Sequence, residues 1–154
     1  MNSRIGVAVS AGLVAGTALA PPILLRANYP LAAFALRSFF SELCNQDPAR
    51  SFLLTGTPIA VCVRCFGIYL GTALGALLSM LSGAVGRMNG AWARHILLAT
   101  IVLNILDVAA ELLRLHGNLP IPRFFLGVVL GITIGVLLTC EAHDEVRARS
   151  ETGL

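Results

Sequence analysis

The chain has 154 residues, of which 56% are hydrophobic and 12% are charged, and its mean hydropathy is +0.82. Soluble domains carry about 25% charged residues, so this composition excludes a soluble globular domain and indicates an integral membrane protein. The net charge of +3 includes no lysine, and the eleven arginines are scattered along the chain. Because nucleic-acid-binding surfaces need clustered basic residues, the expected partner is a lipid bilayer and no nucleic acid.

Four apolar segments are each long enough to cross a bilayer as a helix. They lie at about residues 5–25, 59–82, 95–115 and 123–140. The links predict an all-α fold, an up-down bundle of four transmembrane helices that forms a single polytopic membrane domain over residues 1–140. Residues 141–154 are polar and show no packing pattern, so we expect them to form a mobile tail.

The first apolar segment contains a pattern typical of a signal peptide, because Ala18-Leu19-Ala20 resembles a cleavage site. Pro21 directly follows that pattern, where signal peptidase tolerates proline poorly, and the apolar run continues through Leu25. A retained transmembrane helix is therefore favoured over a cleaved leader.

The link between the first two spans contains an amphipathic helix at about residues 31–43. Its apolar side chains recur at helical spacing, and polar side chains occupy the other side. The apolar residues are Ala32, Leu36, Phe39, Phe40 and Leu43. The segment is too short to span a bilayer, so it is predicted to lie in the membrane interface. An ordinary packed loop helix is the alternative.

Three of the four cysteines lie in one stretch that begins at Cys44 and ends in the second span. Cys62 and Cys65 form a Cys-x-x-Cys pair at the mouth of that span. Four cysteines are too few for a disulfide scaffold, and this spacing suits a metal site or a redox pair. Cys140 ends the fourth span on the opposite side and is interpreted as a packed thiol.

Polar residues are predicted to gather on the cysteine side of the membrane, because the topology brings the first and third links together there. Asp107 and Glu111 lie in the third span, where a carboxylate costs roughly 2.5–3.5 kcal/mol at a helix centre, so each needs a partner. Glu111 could instead pair with Arg114 along the helix. The supporting cluster comprises Gln46, Asp47, Arg50, Arg64, Tyr69, Asp107, Glu111, Asn118 and Arg123.

Glycines recur every four residues on two of the spans, a pattern that lets helices pack closely in membranes. These residues are Gly67, Gly71, Gly75, Gly127, Gly131 and Gly135. We expect each glycine face to pack against a neighbouring helix. The same faces offer a surface for a homo-oligomer or for another membrane protein.

The stretch that begins at Cys44 resembles the signature of an uncharacterised family of small bacterial and archaeal membrane proteins, classed as a domain of unknown function. That signature runs roughly C-H-Q-x-P-x-R-S-F, then V-C-x-R-C-x-G-I-Y-x-G. The matching residues are Cys44, Gln46, Arg50, Ser51, Phe52, Cys62, Arg64, Cys65, Gly67, Ile68, Tyr69 and Gly71. Asp107, Arg123 and Gly127 are similar to later motifs of the family, so the resemblance covers most of residues 44–131.

The resemblance implies a multi-pass protein of a bacterial or archaeal cytoplasmic (inner) membrane, and it implies no activity. Three positions depart from the family pattern. Asn45 replaces a histidine, Val108 replaces a glycine and Glu111 replaces a glutamine. If that histidine binds a metal in the family, this chain has lost one ligand.

The residues leave four functions open, one of which is a small polar-substrate enzyme or transporter in which Arg50, Arg64 and Arg123 bind an anion, and whether the protein is an enzyme stays undecided. Cys62 and Cys65 can share one ion with Cys44 as a third thiolate, and with Asp47 or water such a site suits zinc or copper(I). The same cysteines could instead form a membrane thiol–disulfide oxidoreductase, since a helix N-terminus and Arg64 lower thiol pKa values. A non-catalytic accessory or structural subunit is the third alternative. The thiolate metal site is favoured.

The arginine distribution predicts the orientation. If Arg50, Arg64 and Arg123 belong to the site, the remaining arginines favour both termini in the cytoplasm under the positive-inside rule. The cysteine cluster would then face outward.

Overall fold

The structure, a computed structural model, describes residues 2–81, 90–113 and 119–151. Its helices are α1 (Asn2–Arg26), α2 (Pro30–Ser41), α3 (Val63–Leu81), α4 (Gly90–Leu112) and α5 (Pro120–Glu151). An antiparallel hairpin of β1 (Leu53–Leu54) and β2 (Thr57–Pro58) and a 3-10 turn at Pro48–Arg50 connect α2 to α3. Four of the described helices carry membrane-length apolar segments, which are Ile5–Arg26, Val63–Leu81, Arg94–Leu112 and Pro120–Cys140. The predicted all-α membrane fold is confirmed.

The second span begins four residues later than predicted, at Val63. The residues before it are apolar, but their backbone bonds to other elements instead of starting a helix. The Ile59 N–H donates to the Phe52 carbonyl at 3.0 Å, and the Ala60 N–H donates to the Ala18 carbonyl at 3.0 Å. Cys62 therefore lies just before α3 and not within it.

Two prolines in α1 explain how that connection is anchored. Pro22 has no N–H, so the Ala18 carbonyl four residues earlier lacks its helical donor. The Ala60 N–H donates to this carbonyl instead. The contact is buried, because Ala18, Pro21 and Pro22 are all less than 2% exposed. α1 thus runs unbroken through the segment that resembles a cleavage site and packs against α2 and α3.

α3 and α5 run parallel and form the central pair, in contact through their glycines. A Cβ atom at Gly71 would lie under 3.0 Å from the Val128 carbonyl oxygen, and one at Gly131 under 3.0 Å from the Ile68 carbonyl oxygen. The same is true of all six predicted packing glycines, which are Gly67, Gly71, Gly75, Gly127, Gly131 and Gly135. These glycine faces are filled within one chain, so an oligomer or membrane partner would need another face.

α4 lies at the edge of the bundle and packs against α5. Its membrane segment is only 11% buried, compared with 39% for that of α3, so most of it faces lipid. α5 continues past Cys140 to Glu151, over most of the segment predicted as a tail. The domain boundary at residue 140 stays a prediction.

The interfacial helix is present as α2, but its buried face differs from the predicted one. Ala33 and Phe40 are buried, whereas Phe39 and Leu43 are exposed. Arg37 lies on the buried face because it follows Ala33 by four residues and precedes Phe40 by three. α2 therefore carries apolar residues on two sides, of which one packs against the protein and the other is exposed.

Candidate thiol and ion-pair site

Three thiols converge at the N-terminus of α3. Cys44 follows α2, Cys62 precedes α3 and Cys65 lies in the first turn of α3. Their sulfur atoms all lie within 4.8 Å of one another. All four cysteines of the chain are free thiols. The cluster is therefore three reduced sulfurs arranged around one point.

Backbone geometry holds Cys44 in the cluster. The Cys62 N–H donates to Cys44 Sγ at 3.2 Å, and the Gln46 N–H also bonds to this sulfur. Gln46 has a φ of +50°, a left-handed conformation that turns the chain back on itself. The pKa of the Cys44 thiol lies well below its ordinary value. The largest cause is hydrogen bonding from the Cys62 and Cys65 side chains, and the two backbone amides make a smaller contribution in the same direction. Burial of the sulfur opposes these effects and raises the pKa.

An apolar wall encloses one side of the thiols. Cys44 belongs to a buried cluster with Phe40 and Val61, and Tyr69 packs against that cluster from α3. The rings of Phe40 and Tyr69 lie 6.5 Å apart. Because the wall excludes water, interactions of a charged sulfur with an ion or a donor are stronger here than in solvent.

A network of ion pairs adjoins the thiols and connects three helices. Arg64 on α3 binds Asp107 on α4. Arg123 on α5 contacts Asp107 at 3.7 Å and Glu111 at 2.9 Å, and its side chain is only 3% exposed. The two carboxylates that were predicted to need partners therefore have them, and described contacts pair Glu111 with arginines of other elements.

The outer part of this network comes from the 3-10 turn. Arg50 lies 3.1 Å from Glu111 and 3.1 Å from Asp47. Asp47 also accepts the Ala49 N–H at 3.0 Å, which caps the turn. Among the described residues, the group able to share a metal ion contains the three cysteines alone. Asp47 thus belongs to the ion pairs and not to the thiol cluster.

A small cavity of about 60 Å³ joins the thiols to the ion pairs. It is lined by Arg50, Cys62, Val63, Arg64, Glu111 and Arg123. Cys62 is the one cysteine of the cluster among these lining residues. The cavity therefore lies between one cysteine of the cluster and three arginines.

The remaining residues of interest from the sequence are neither among the three thiols nor in the described ion pairs. The Gln46 side chain donates to the Arg37 carbonyl at 2.5 Å and so fixes the loop, while its backbone serves Cys44. Asn118 lies outside the described residues. Asn45, which stands where the family signature has histidine, is exposed and is not in the group of metal-sharing residues.

Two positioning residues were not in the predicted cluster. Arg37 donates to the Pro58 carbonyl at 3.1 Å and ties α2 to the hairpin, although its polar character predicted a solvent-facing position. Asn104 donates to the Leu126 carbonyl at 3.4 Å and connects α4 to α5. Its position three residues before Asp107 on the same helix was the available signal, whereas no sequence pattern indicates the contact of Arg37.

The comparisons with known proteins agree with the signature at Cys44. Residues 44–137, more than half of the chain, match the profile of a family described as "Predicted membrane protein (DUF2085)". The uncharacterized protein MJ1492 of Methanocaldococcus jannaschii is 30% identical over 104 residues, which are 66% of this chain and 65% of that protein. The match thus spans just under two thirds of this relative, and no solved structure matches the chain. The chain belongs to the DUF2085 family of predicted membrane proteins.

Proposed function

We propose that the protein binds one transition-metal ion, zinc or copper(I), through the thiolates of Cys44, Cys62 and Cys65. The observation that carries this proposal is the placement of all three sulfurs within 4.8 Å of one another. With a Zn–S bond of about 2.3 Å, two sulfurs on a tetrahedral ion lie about 3.8 Å apart. A closure of about 1 Å therefore forms the site, and sulfur ligands suit these softer ions.

The electrostatics support the same proposal. Metal binding requires deprotonated thiols, and the lowered pKa of Cys44 supplies one thiolate without competition from protons at neutral pH. The N-terminus of α3 and the nearby guanidinium groups of Arg64 and Arg123 offset the negative charge of three thiolates around one cation. A solvent molecule can serve as the fourth ligand on the side of the cavity.

Metal titration of the single-serine variants tests this function. We expect purified metal-free protein to bind one zinc or copper(I) ion per chain. Replacing Cys44, Cys62 or Cys65 by serine should weaken binding by more than about 100-fold, because loss of a direct ligand exceeds the 10–100-fold cost of losing an outer-shell partner. Cys140→Ser is the matched control and should bind like the parent. Equal affinity in all four variants would contradict the proposal.

Thiol–disulfide exchange is the second candidate, because the Cys44 thiolate lies beside two further thiols. The Cys44 thiolate would attack a partner disulfide and release one partner thiolate. Cys62 or Cys65 would then attack Cys44 Sγ, release the second, reduced partner sulfur and leave a disulfide in the cluster. Cys62→Ser or Cys65→Ser should trap the mixed disulfide if one cysteine alone resolves it, and the double variant should trap it in either case. Its absence from the double variant would exclude this candidate.

We further propose that both termini lie in the cytoplasm and that the cluster faces the outer side of a bacterial or archaeal cytoplasmic membrane. This proposal is supported by the engagement of Arg50, Arg64 and Arg123 in ion pairs, which removes them from the positive-inside count. In intact cells, a membrane-impermeant maleimide should label Thr55→Cys, at the exposed hairpin tip, and should not label Arg94→Cys. The reverse pattern would invert the topology.

A further inference from the structure

The cavity beside the thiol cluster is lined mainly by residues that are not the proposed metal ligands. Its volume is about 60 Å³. One water needs roughly 10–15 Å³ of such space, and pockets for drug-sized molecules measure about 300–1,000 Å³. The cavity is therefore sized for a ligand of a few heavy atoms.

Arginines make up half of the residues that line this cavity. Arg50, Arg64 and Arg123 line it, with Glu111 as the single carboxylate among the lining residues. Each guanidinium group carries five N–H donors in a fixed fork, and one carboxylate partner occupies at most two of them in a bidentate pair. The described ion pairs join these arginines to three carboxylates, those of Asp47, Asp107 and Glu111, through five contacts, and three guanidinium groups carry more N–H donors than that.

The three arginines come from three separate elements and surround the cavity. Arg50 lies in the 3-10 turn, Arg64 in the first turn of α3 and Arg123 in the first turn of α5. A ligand carboxylate directs its lone pairs within one plane, which fits less well to three groups that come from three separate elements. A tetrahedral oxyanion has up to four oxygens and can accept from all three at once.

The start of α3 adds backbone donors to the same cavity. Val63 and Arg64 line it and are the first two residues of this 19-residue helix. The first N–H groups of a helix have no acceptor within the helix and carry the positive end of its dipole. Such an end is a favourable place for a phosphate or sulfate group.

The three arginines differ in exposure, so the cavity has an exposed entrance and a buried end. The Arg50 side chain is 47% exposed, that of Arg64 is 21% exposed and that of Arg123 is 3% exposed. A ligand can thus enter past Arg50 and reach Arg123. Substitution of Arg50 changes the entrance without removing a buried charge from the bundle.

We propose that this cavity is a binding site for one phosphate-type tetrahedral oxyanion, carried either by a free anion or by a lipid headgroup. The oxyanion binds next to Cys62 and does not require the metal ion. The inference therefore goes beyond the proposed metal site and can fail or succeed independently of it.

The test uses chelator-treated, metal-free protein in a phosphate-free detergent. Inorganic phosphate and sulfate are added against chloride at equal ionic strength, and the thermal unfolding midpoint is measured. At about ten times the dissociation constant we expect a rise of roughly 3–6 °C over chloride. Equilibrium dialysis of the unmodified protein should give one phosphate per chain, and this measurement does not depend on any variant.

Arg50→Gln and Arg26→Gln form the matched pair of variants. Arg50→Gln should lower phosphate affinity at least about tenfold, because two charge-assisted hydrogen bonds are lost. Arg26→Gln removes one exposed arginine elsewhere and should leave the affinity unchanged. The unfolding midpoint of Arg50→Gln in chloride should stay close to that of the parent, which shows that the variant is folded.

A third arm separates the two sources of the oxyanion. Mixed micelles that contain phosphatidic acid replace inorganic phosphate in the same assay. Stabilisation by the lipid alone, lost in Arg50→Gln, assigns the site to a headgroup, and stabilisation by inorganic phosphate assigns it to a free anion. No stabilisation by phosphate, sulfate or phosphatidic acid, or equal stabilisation of Arg50→Gln, would overturn the proposal.

Discussion

Cys44 is the residue on which the chemistry of the cluster depends most. It is 8% exposed, and its sulfur accepts backbone hydrogen bonds from Cys62 and Gln46. Those bonds exist because Gln46 adopts a left-handed turn and Cys62 precedes the helix instead of lying inside it. The local backbone thus prepares a thiolate before any ion binds.

The lowered pKa of Cys44 gives a pH prediction for the metal-free protein. The unfolded thiol has a pKa near 8.5, and the folded thiol has a lower one. The thiolate therefore contributes stability that is fully present above about pH 8.5 and is lost as the pH falls through the lower folded value. Thiolate ultraviolet absorbance should persist at neutral pH and disappear on acidification.

Serine variants assign this thiolate to its residue. Cys44→Ser should abolish the absorbance at neutral pH, whereas Cys140→Ser should retain it. If the metal-free parent shows no thiolate below pH 8, the proposed environment of Cys44 is wrong.

At the scale of the elements, the close contact of α3 with α5 positions the site. It brings Arg64 and Arg123, one from the first turn of each helix, to the same end of the bundle. The contact is backbone to backbone, so neither helix can shift to accept a side chain without loss of packing. Both the thiol cluster and the ion pairs sit at the end of this pair.

Gly71→Val tests that packing directly. The new side chain would overlap the Val128 carbonyl, and overpacking of this kind costs about 1–3 kcal/mol or more. Unfolding by sodium dodecyl sulfate in mild detergent should show the loss. Gly12→Val on α1 is the control, since a Cβ there meets nothing within 4 Å. Equal stability of both variants would argue against the parallel α3–α5 pair.

The sequence predicted much of this arrangement, for reasons that can be traced to particular residues. Apolar length predicted the four spans, and topology predicted that Cys44, Arg50 and Asp107 share one side. The start of α3 at Val63 was not predictable, because hydrogen bonds from distant elements hold Ile59 and Ala60 outside the helix.

The sequence also did not predict which element each helix face contacts. Glycine spacing predicts close packing, but it does not state that α3 packs against α5 rather than against another chain. The half-buried position of Arg37 depends on a tertiary contact with the Pro58 carbonyl, whereas its charge alone predicted a solvent-facing position. Periodicity reports which side of a helix is apolar, and it does not report what that side contacts.

At the scale of the whole molecule, the ion-pair network holds α4 to the central pair. α4 buries little surface of its own, and Asp107 and Glu111 supply its charged contacts to Arg64 and Arg123. Three of these residues, Arg64, Glu111 and Arg123, also line the cavity that adjoins Cys62. Stability of the bundle and chemistry of the site are therefore coupled through these residues.

Asp107→Ala should destabilise the protein by about 3 kcal/mol or more, since removal of one partner leaves buried charges uncompensated. Unfolding in mixed detergent micelles measures the change. Glu42→Ala removes an exposed carboxylate and is expected to change stability by less than about 0.5 kcal/mol. If Asp107→Ala is no less stable than Glu42→Ala, the network does not hold α4 in place.

The central claim is that the three thiols hold a metal ion, and native mass spectrometry of the intact protein tests it most directly. The protein is purified without reductant or chelator, so that neither the ion nor the thiol state is altered. We predict an added mass of one transition-metal ion per chain, which Cys44→Ser removes and Cys140→Ser retains. An ion-free protein, whether fully reduced or two hydrogens lighter through a disulfide, would contradict the metal site.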